Sequence, residues 1–214
     1  MTTPTADSQA SPTGFQLRLP DQAEFQNLEP AVLTARMRVG IEHLDPRVFE
    51  LDLESLNQAW LPESGVGRWP IRVVLGHLAD TEMVFARRIR HILAVDSPTL
   101  SLFDEMAYVD SGIYGCTEGS NLQPPIGGDV AMTHTSRSWL VALLMQLDEQ
   151  QWSRVGMHPD RGPITLRSIA DYACWHLEHH ASYVNAKVFK ILGPMPEPES
   201  CAPGGCSKPG CSCV

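Results

Sequence analysis

The sequence lacks long apolar runs and clusters of basic residues. No segment approaches the roughly eighteen uninterrupted apolar residues that a membrane-spanning helix needs. Lys and Arg number 16 against 25 Asp and Glu, which gives a net charge of -9 and no basic patch for a phosphate backbone. Residues 1–26 are polar and show neither the basic nor the apolar region of a signal peptide. We therefore predict a soluble, cytoplasmic protein with no nucleic-acid or membrane partner.

The cysteines are not spread along the chain as a disulfide framework would require. Cys116 and Cys174 are isolated, and the other four lie in the last fourteen residues. These four are Cys201, Cys206, Cys211 and Cys213. The tail predicts either a soft-metal site for Zn or Cu(I) or a disordered segment whose thiols share no role. Composition divides the chain into a flexible leader (1–28), one domain (29–195) and a disordered cysteine-rich tail (196–214).

Four segments carry helical patterns. The first covers residues 31–44 with Pro30 in its first turn, and the second runs from Trp69-Pro70 to about residue 95. The third covers 129–147, and the fourth begins after Thr165 as N-cap and stops at residues 193–194. The predicted inner face of the third helix consists of Met132, Ser136, Trp139, Leu140, Leu143 and Leu144. Four helices joined by one long crossover, residues 96–128, predict an all-α four-helix bundle.

Histidines interrupt two of the apolar helical stripes. His176 and His180 lie four residues apart in the fourth helix, and His77 lies inside the second. Residues at this spacing share one helix face, so both members of the pair should point to the core. Three imidazoles from two facing helices can converge on one divalent cation, although satisfied core histidines would show the same spacing. His179 lies about a quarter-turn away from that face and is predicted to flank the site.

An ordered set of motifs in residues 30–193 resembles the DinB/YfiT-like superfamily. The motifs are Gly67-Arg68-Trp69, Gly76-His77-Leu78-Ala79-Asp80-Thr81-Glu82, Asp96-Ser97-Pro98-Thr99-Leu100 with Phe103-Asp104-Glu105, His158-Pro159-Asp160 with Gly162, and Trp175-His176 with His179-His180. The resemblance implies an up-down-down-up four-helix bundle that holds a divalent metal through three histidines. Carried over by motif, the ligands are His77, His176 and His180. Members of the family include transferases that use low-molecular-weight thiols such as bacillithiol or mycothiol, and a mycothiol-dependent isomerase.

The sequence accordingly predicts a divalent-metal-dependent enzyme that acts on a small molecule. Zinc is the preferred ion, with nickel, iron and manganese open because three nitrogen ligands select weakly. The preferred reaction joins a low-molecular-weight thiol to an electrophile. A metal-dependent hydrolase using metal-bound hydroxide and a non-catalytic metal-handling protein are the alternatives, and a homodimer is an open possibility.

Neighbouring residues are candidates for supporting roles. A ligating histidine normally donates its second ring proton to a carboxylate or carbonyl. Tyr172, one turn before His176, is predicted to line the pocket or to pack in the core, and the crossover is expected to cover the site. The candidate carboxylates are Asp80, Asp104, Glu105 and Glu178.

Overall fold

The computed structural model describes residues 17–116 and 121–196. Its helices and strands are α1 (Ala23–Gln26), α2 (Pro30–Val39), α3 (Leu53–Asn57), α4 (Ile71–Ala94), α5 (Glu105–Asp110), α6 (Ile126–Leu144), α7 (Glu149–Trp152), β1 (Val155–His158), β2 (Gly162–Thr165) and α8 (Leu166–Leu192). Short 3-10 helices cover Gly40–His43, Pro46–Glu50 and Pro62–Ser64. No helix within these described ranges is long and apolar enough to cross a membrane.

Helices α2, α4, α6 and α8 form the bundle, which confirms the predicted fold class. Helix α4 packs most extensively against α6 and next against α8. The crossover between α4 and α6 is long, as predicted, and contains α5. Thr165 caps α8 as expected, because its side-chain oxygen accepts a hydrogen bond from the backbone N–H of Ser168 at 3.0 Å. Gly193, with φ of +77°, ends that helix.

Two apolar clusters fill the core, and the boundary between them falls at the middle of α8. One cluster contains Phe85, Ile89, Ile169 and Ala173, and the other contains Leu78, Leu177, Ala181 and Val184, with further members in both. His176 lies between the two along α8. The bundle therefore has a layer of histidines at the boundary between its two apolar clusters.

The face that α6 buries agrees with the prediction only in part, since Ser136, Leu140 and Leu144 are buried as predicted. Met132 is 44% exposed and Trp139 is 53% exposed, whereas Arg137 is buried. Arg137 forms an ion pair with the fully buried Glu82 of α4, so the helix is rotated to bring a charged residue inward. The displaced Trp139 is covered by the guanidinium of Arg90, which lies 3.9 Å from its ring centroid. The spacing of apolar residues in a helix does not indicate that a charged residue is buried in an ion pair.

A two-stranded antiparallel hairpin, absent from the prediction, precedes α8. Strands β1 and β2 pair Val155 with Thr165 and His158 with Gly162. The backbone N–H of Leu100 donates to the carbonyl of Met157, and this contact fastens the hairpin to the start of the crossover. Each strand has only four residues, too short for an alternating pattern to be read from the sequence.

Residues 17–28 pack against the bundle, unlike the flexible leader predicted for residues 1–28. Phe25 is fully buried, and the guanidinium of Arg36 lies 4.1 Å from its ring centroid. The indole N–H of Trp175 donates to the carbonyl of Pro20 at 3.0 Å. Residues 1–16 of the leader and 197–214 of the cysteine-rich tail lie outside the described residues.

Candidate metal centre

The bundle brings the three predicted histidines together. The candidate ligand nitrogens of His77, His176 and His180 all lie within 4.8 Å of one another. His77 projects from α4, and the other two project from successive turns of α8. The Nε2 atoms of His77 and His176 are 3.1 Å apart. Two rigid helices therefore fix the relative positions of all three rings.

Aromatic side chains surround this histidine cluster. The Trp69 ring stacks parallel to His180 with centroids 6.2 Å apart and lies edge-on to His77 at 5.2 Å. Phe85 and Tyr172 contact the other side of His176, at centroid distances of 5.6 and 5.7 Å. Tyr172 therefore lines the site, as one of the two sequence interpretations held.

Burial keeps the cluster histidines neutral. His77 is 1% exposed and His176 is 5% exposed. Burial lowers the pKa of His77 to about 4. It also lowers the pKa of His180 to about 3, with a smaller contribution from the charge of His77, and it holds the pKa of His176 well below its usual value. At neutral pH all three rings are in the form that binds a metal.

The geometry fits a divalent ion. Nitrogen ligands about 2.0–2.1 Å from a tetrahedral zinc lie roughly 3.3 Å apart, close to the separation of the His77 and His176 Nε2 atoms. The Nδ1 atoms of these two histidines are buried without a hydrogen-bond partner in the described part of the chain. Buried ring nitrogens without protein partners are costly in a core, and a metal bound at the Nε2 atoms would offset part of that cost without contacting the Nδ1 atoms. Three nitrogens would leave a coordination position open.

The carboxylates proposed to support the cluster have other roles. Among the described residues, none of the four hydrogen-bonds to a cluster histidine, so these predictions are wrong. Asp80 accepts from the Tyr114 hydroxyl at 2.6 Å, and Asp104 caps α5. Glu178 faces away from the cluster and binds Arg36 through two hydrogen bonds of 2.7 and 2.8 Å. The reason is angular, since residue 178 is about 200° around the helix from residue 176.

A cleft of about 690 Å³ reaches His176 from the surface. Phe85 and Tyr172 form its inner walls, and Leu102, Phe103 and Glu105 of the crossover form part of its outer wall. The crossover therefore covers the approach to the cluster, as expected. His158 and Arg161 of the hairpin also line the cleft. The volume suits a small molecule.

Sequence reasoning missed Trp69 and Phe85 as parts of the site. The sequence predicts Trp69 as the start of a helix and as part of a family motif, without a role at the histidines. Phe85 lies eight residues after His77 in the apolar stripe of α4. For both residues the available signal was a spacing of eight positions from a predicted ligand, His77.

These features define a four-helix bundle with a three-histidine site between two helices. The sequence profile of the DinB superfamily matches residues 26–184, so the chain belongs to that family. It is 27% identical over 169 residues to a protein of Oceanobacillus iheyensis named "putative metal-dependent hydrolase", covering 79% of this chain and 90% of that one. It is 30% identical over 119 residues to YfiT of Bacillus subtilis, which has the same name, covering 55% of this chain and 63% of YfiT.

The solved structure of YfiT from Bacillus subtilis has a similar fold. Its description is that of a probable metal-dependent hydrolase with an unusual four-helix bundle topology. The two structures superpose with a TM-score of 0.58 at 20% identity, over 84% of this chain and 93% of YfiT. At this identity the likeness shows the shared fold, and the site must be argued from the residues of this chain.

Proposed function

We propose that the protein is a divalent-metal-dependent enzyme with His77, His176 and His180 as ligands. The observation that carries this proposal is the convergence of three neutral ring nitrogens, with His176 lining a cleft of small-molecule size. Zinc is the preferred ion because it favours imidazole ligands and four-coordination.

The preferred reaction is transfer of a low-molecular-weight thiol to an electrophile. A bound divalent ion supplies Lewis-acid chemistry that favours the ionised form of a coordinated thiol or water. No carboxylate of the described residues hydrogen-bonds to the cluster histidines, so a base would have to come from the cleft wall. A thiol ionises with less assistance than water, and attack by the thiolate needs no second proton transfer. Phe85 and Tyr172 would orient the electrophile and exclude water.

Hydrolysis is the second candidate reaction. The names of the relatives from Oceanobacillus iheyensis and Bacillus subtilis support it. Glu105 lines the cleft and is the carboxylate best placed to assist a water molecule after movement of the crossover. A hydrolase would need this or an equivalent base at the cluster.

Metal analysis of the purified full-length protein tests the ligand assignment. The four tail cysteines should first be replaced by serine, so that only one class of site can hold zinc. We expect one equivalent of metal in this background and its loss in His176→Ala with His180→Ala. His91→Ala, a histidine of α4 outside the cluster, is the matched control and should retain the metal. Retention of one equivalent by the double variant would overturn the assignment.

Turnover assays separate the reactions. The zinc-loaded protein is mixed with an electrophilic dye and, in turn, with several cellular thiols. Thiol-dependent product formation that is lost in His176→Ala supports transfer, whereas thiol-independent cleavage of ester or amide substrates supports hydrolysis. Tight metal binding without turnover in either assay would instead indicate metal handling.

A further inference from the structure

Lys187 is a buried cation in the second half of α8. It is 1% exposed and forms no ion pair with any residue in 17–116 or 121–196. Its ammonium group donates to the carbonyl of Val66 at 2.5 Å and makes a longer contact of 3.5 Å with the carbonyl of Tyr183. Burial lowers the pKa of Lys187 to about 8. Lysines are almost never fully buried unless paired, and here the ammonium is compensated by the Val66 carbonyl and by the Tyr183 ring, whose centroid lies 5.4 Å from its nitrogen.

The Val66 carbonyl belongs to a tight turn, residues 65–69, which lies along α8. Gly67 in this turn has φ of +75°, and a Cβ atom there would lie 3.1 Å from the ring of Tyr183. Val66 is itself 1% exposed. The turn is therefore held against α8 by a hydrogen bond from Lys187 and by close contact with Tyr183.

The same turn ends at Trp69, which touches the histidine cluster. Its ring is parallel to His180 within 2° and lies edge-on to His77. Lys187 and His180 are seven residues apart, so they lie two turns apart on nearly the same face of α8. Both ends of the turn therefore contact α8, Val66 through Lys187 and Trp69 through His180.

We propose that Lys187 is a positioning residue of the metal site, which fixes the turn of residues 65–69 and thereby holds Trp69 against His180 and His77. The proposal rests on the proposed metal function. A histidine ring that is already held in the orientation needed for coordination loses less conformational entropy when the metal binds. Lys187 touches neither the metal position nor the substrate cleft.

The first test measures metal affinity in the background that lacks the tail cysteines. Lys187→Met removes the ammonium group and keeps the length of the side chain. Lys190→Met, an exposed lysine of the same helix, is the control. We expect the Kd for Co²⁺ to rise about 10-fold in Lys187→Met, as for loss of a group that orients a ligand, and to stay unchanged in the control. The visible absorption bands of bound Co²⁺ should shift in Lys187→Met, which a general loss of stability would not produce.

A double substitution tests the route through Trp69. If Lys187 acts through the turn, Trp69→Leu already removes what Lys187 supports. Adding Lys187→Met to Trp69→Leu should then change the Kd less than twofold. A further 10-fold rise in the double variant would show that Lys187 acts on the cluster independently and would overturn the proposal.

A measurement on the metal-free protein separates this inference from the proposed function. The Hε1 proton resonance of His180 senses the ring current of Trp69. We expect Lys187→Met to shift this resonance in the same direction as Trp69→Leu does, and an unchanged resonance would refute the positioning role. If Lys187→Met does not fold, Gly67→Ala disturbs the turn from its other side and should give the same shift. Absence of metal from the wild-type protein would refute the proposed function alone.

Discussion

Acid should destabilise the metal-free protein well before its carboxylates are protonated. In the unfolded chain a histidine has a pKa near 6.5, whereas burial sets the pKa of His77 at about 4 and that of His180 at about 3 in the folded state. Between pH 6.5 and 4 the unfolded state therefore binds more protons. With respect to these histidines, the free energy of unfolding has its full value above pH 6.5 and falls as the pH drops from 6.5 to 4.

The magnitude follows from the size of the window. At pH 5, each histidine held neutral costs about 2 kcal/mol, because 1.5 pH units below 6.5 correspond to roughly 1.36 kcal/mol per unit. His77 and His180 together cost about 4 kcal/mol, and His176 adds to this sum in the same direction. A domain of this size has a total stability of about 5–15 kcal/mol, so the metal-free protein should lose a quarter or more of its stability at pH 5.

Urea denaturation at pH 7, 6 and 5 checks this prediction. Other groups also titrate, since burial raises the pKa of Asp129 and Asp171 and so opposes the effect. The comparison is therefore made with His77→Leu combined with His180→Leu, in which about 4 kcal/mol of the loss between pH 7 and 5 should disappear. Added zinc should protect the wild-type protein and not this variant. Equal pH dependence in the two metal-free proteins would refute the reasoning.

Three further predictions concern the scaffold. Arg137→Met should lower the free energy of unfolding by about 3–5 kcal/mol because it leaves Glu82 buried without its partner, and adding Glu82→Leu should restore most of this loss in urea titrations. Thr165→Ala should cost about 1 kcal/mol through loss of the α8 cap, measured in the same way, and a cost below 0.3 kcal/mol would contradict the cap geometry. Gly76→Ala should lower the melting temperature because its Cβ would collide with the Tyr114 ring, and Tyr114→Ala in the same chain should remove that collision; an unchanged melting temperature for Gly76→Ala alone would show that the ring moves freely.

The sequence predicts the main helices and the pairing of His176 with His180 well because both depend on local periodicity. His176 and His180 share one helix, so their relative placement follows from the helical repeat alone. The position of His77 opposite them depends on how α4 packs against α8, and the family motifs supply that information. By contrast, the orientation of α6 depends on the buried pair of Arg137 and Glu82. These residues are 55 positions apart, and no local pattern connects them.

Proximity in sequence to a predicted ligand did not identify the partners of the candidate carboxylates. Asp80 is close to His77 along the chain, yet its partner is Tyr114, which comes from the crossover 34 residues later. The same contact explains Gly76, since the Tyr114 ring occupies the space where a side chain at position 76 would lie. A residue one helical turn from a predicted ligand can therefore bind a side chain of a distant loop instead of the ligand.

The histidine layer lies where the two apolar clusters of the core meet, and this position has a thermodynamic consequence. Elsewhere along α8 each buried side chain gains from leaving water, but at His176 the helix buries ring nitrogens that gain little from the surrounding aromatic groups. The metal-free fold must be stabilised by the clusters on either side, Phe85 and Ile169 on one and Leu78 and Val184 on the other. A metal that coordinates these nitrogens would offset part of the cost of burying them. Metal affinity and fold stability are therefore linked through the same three rings.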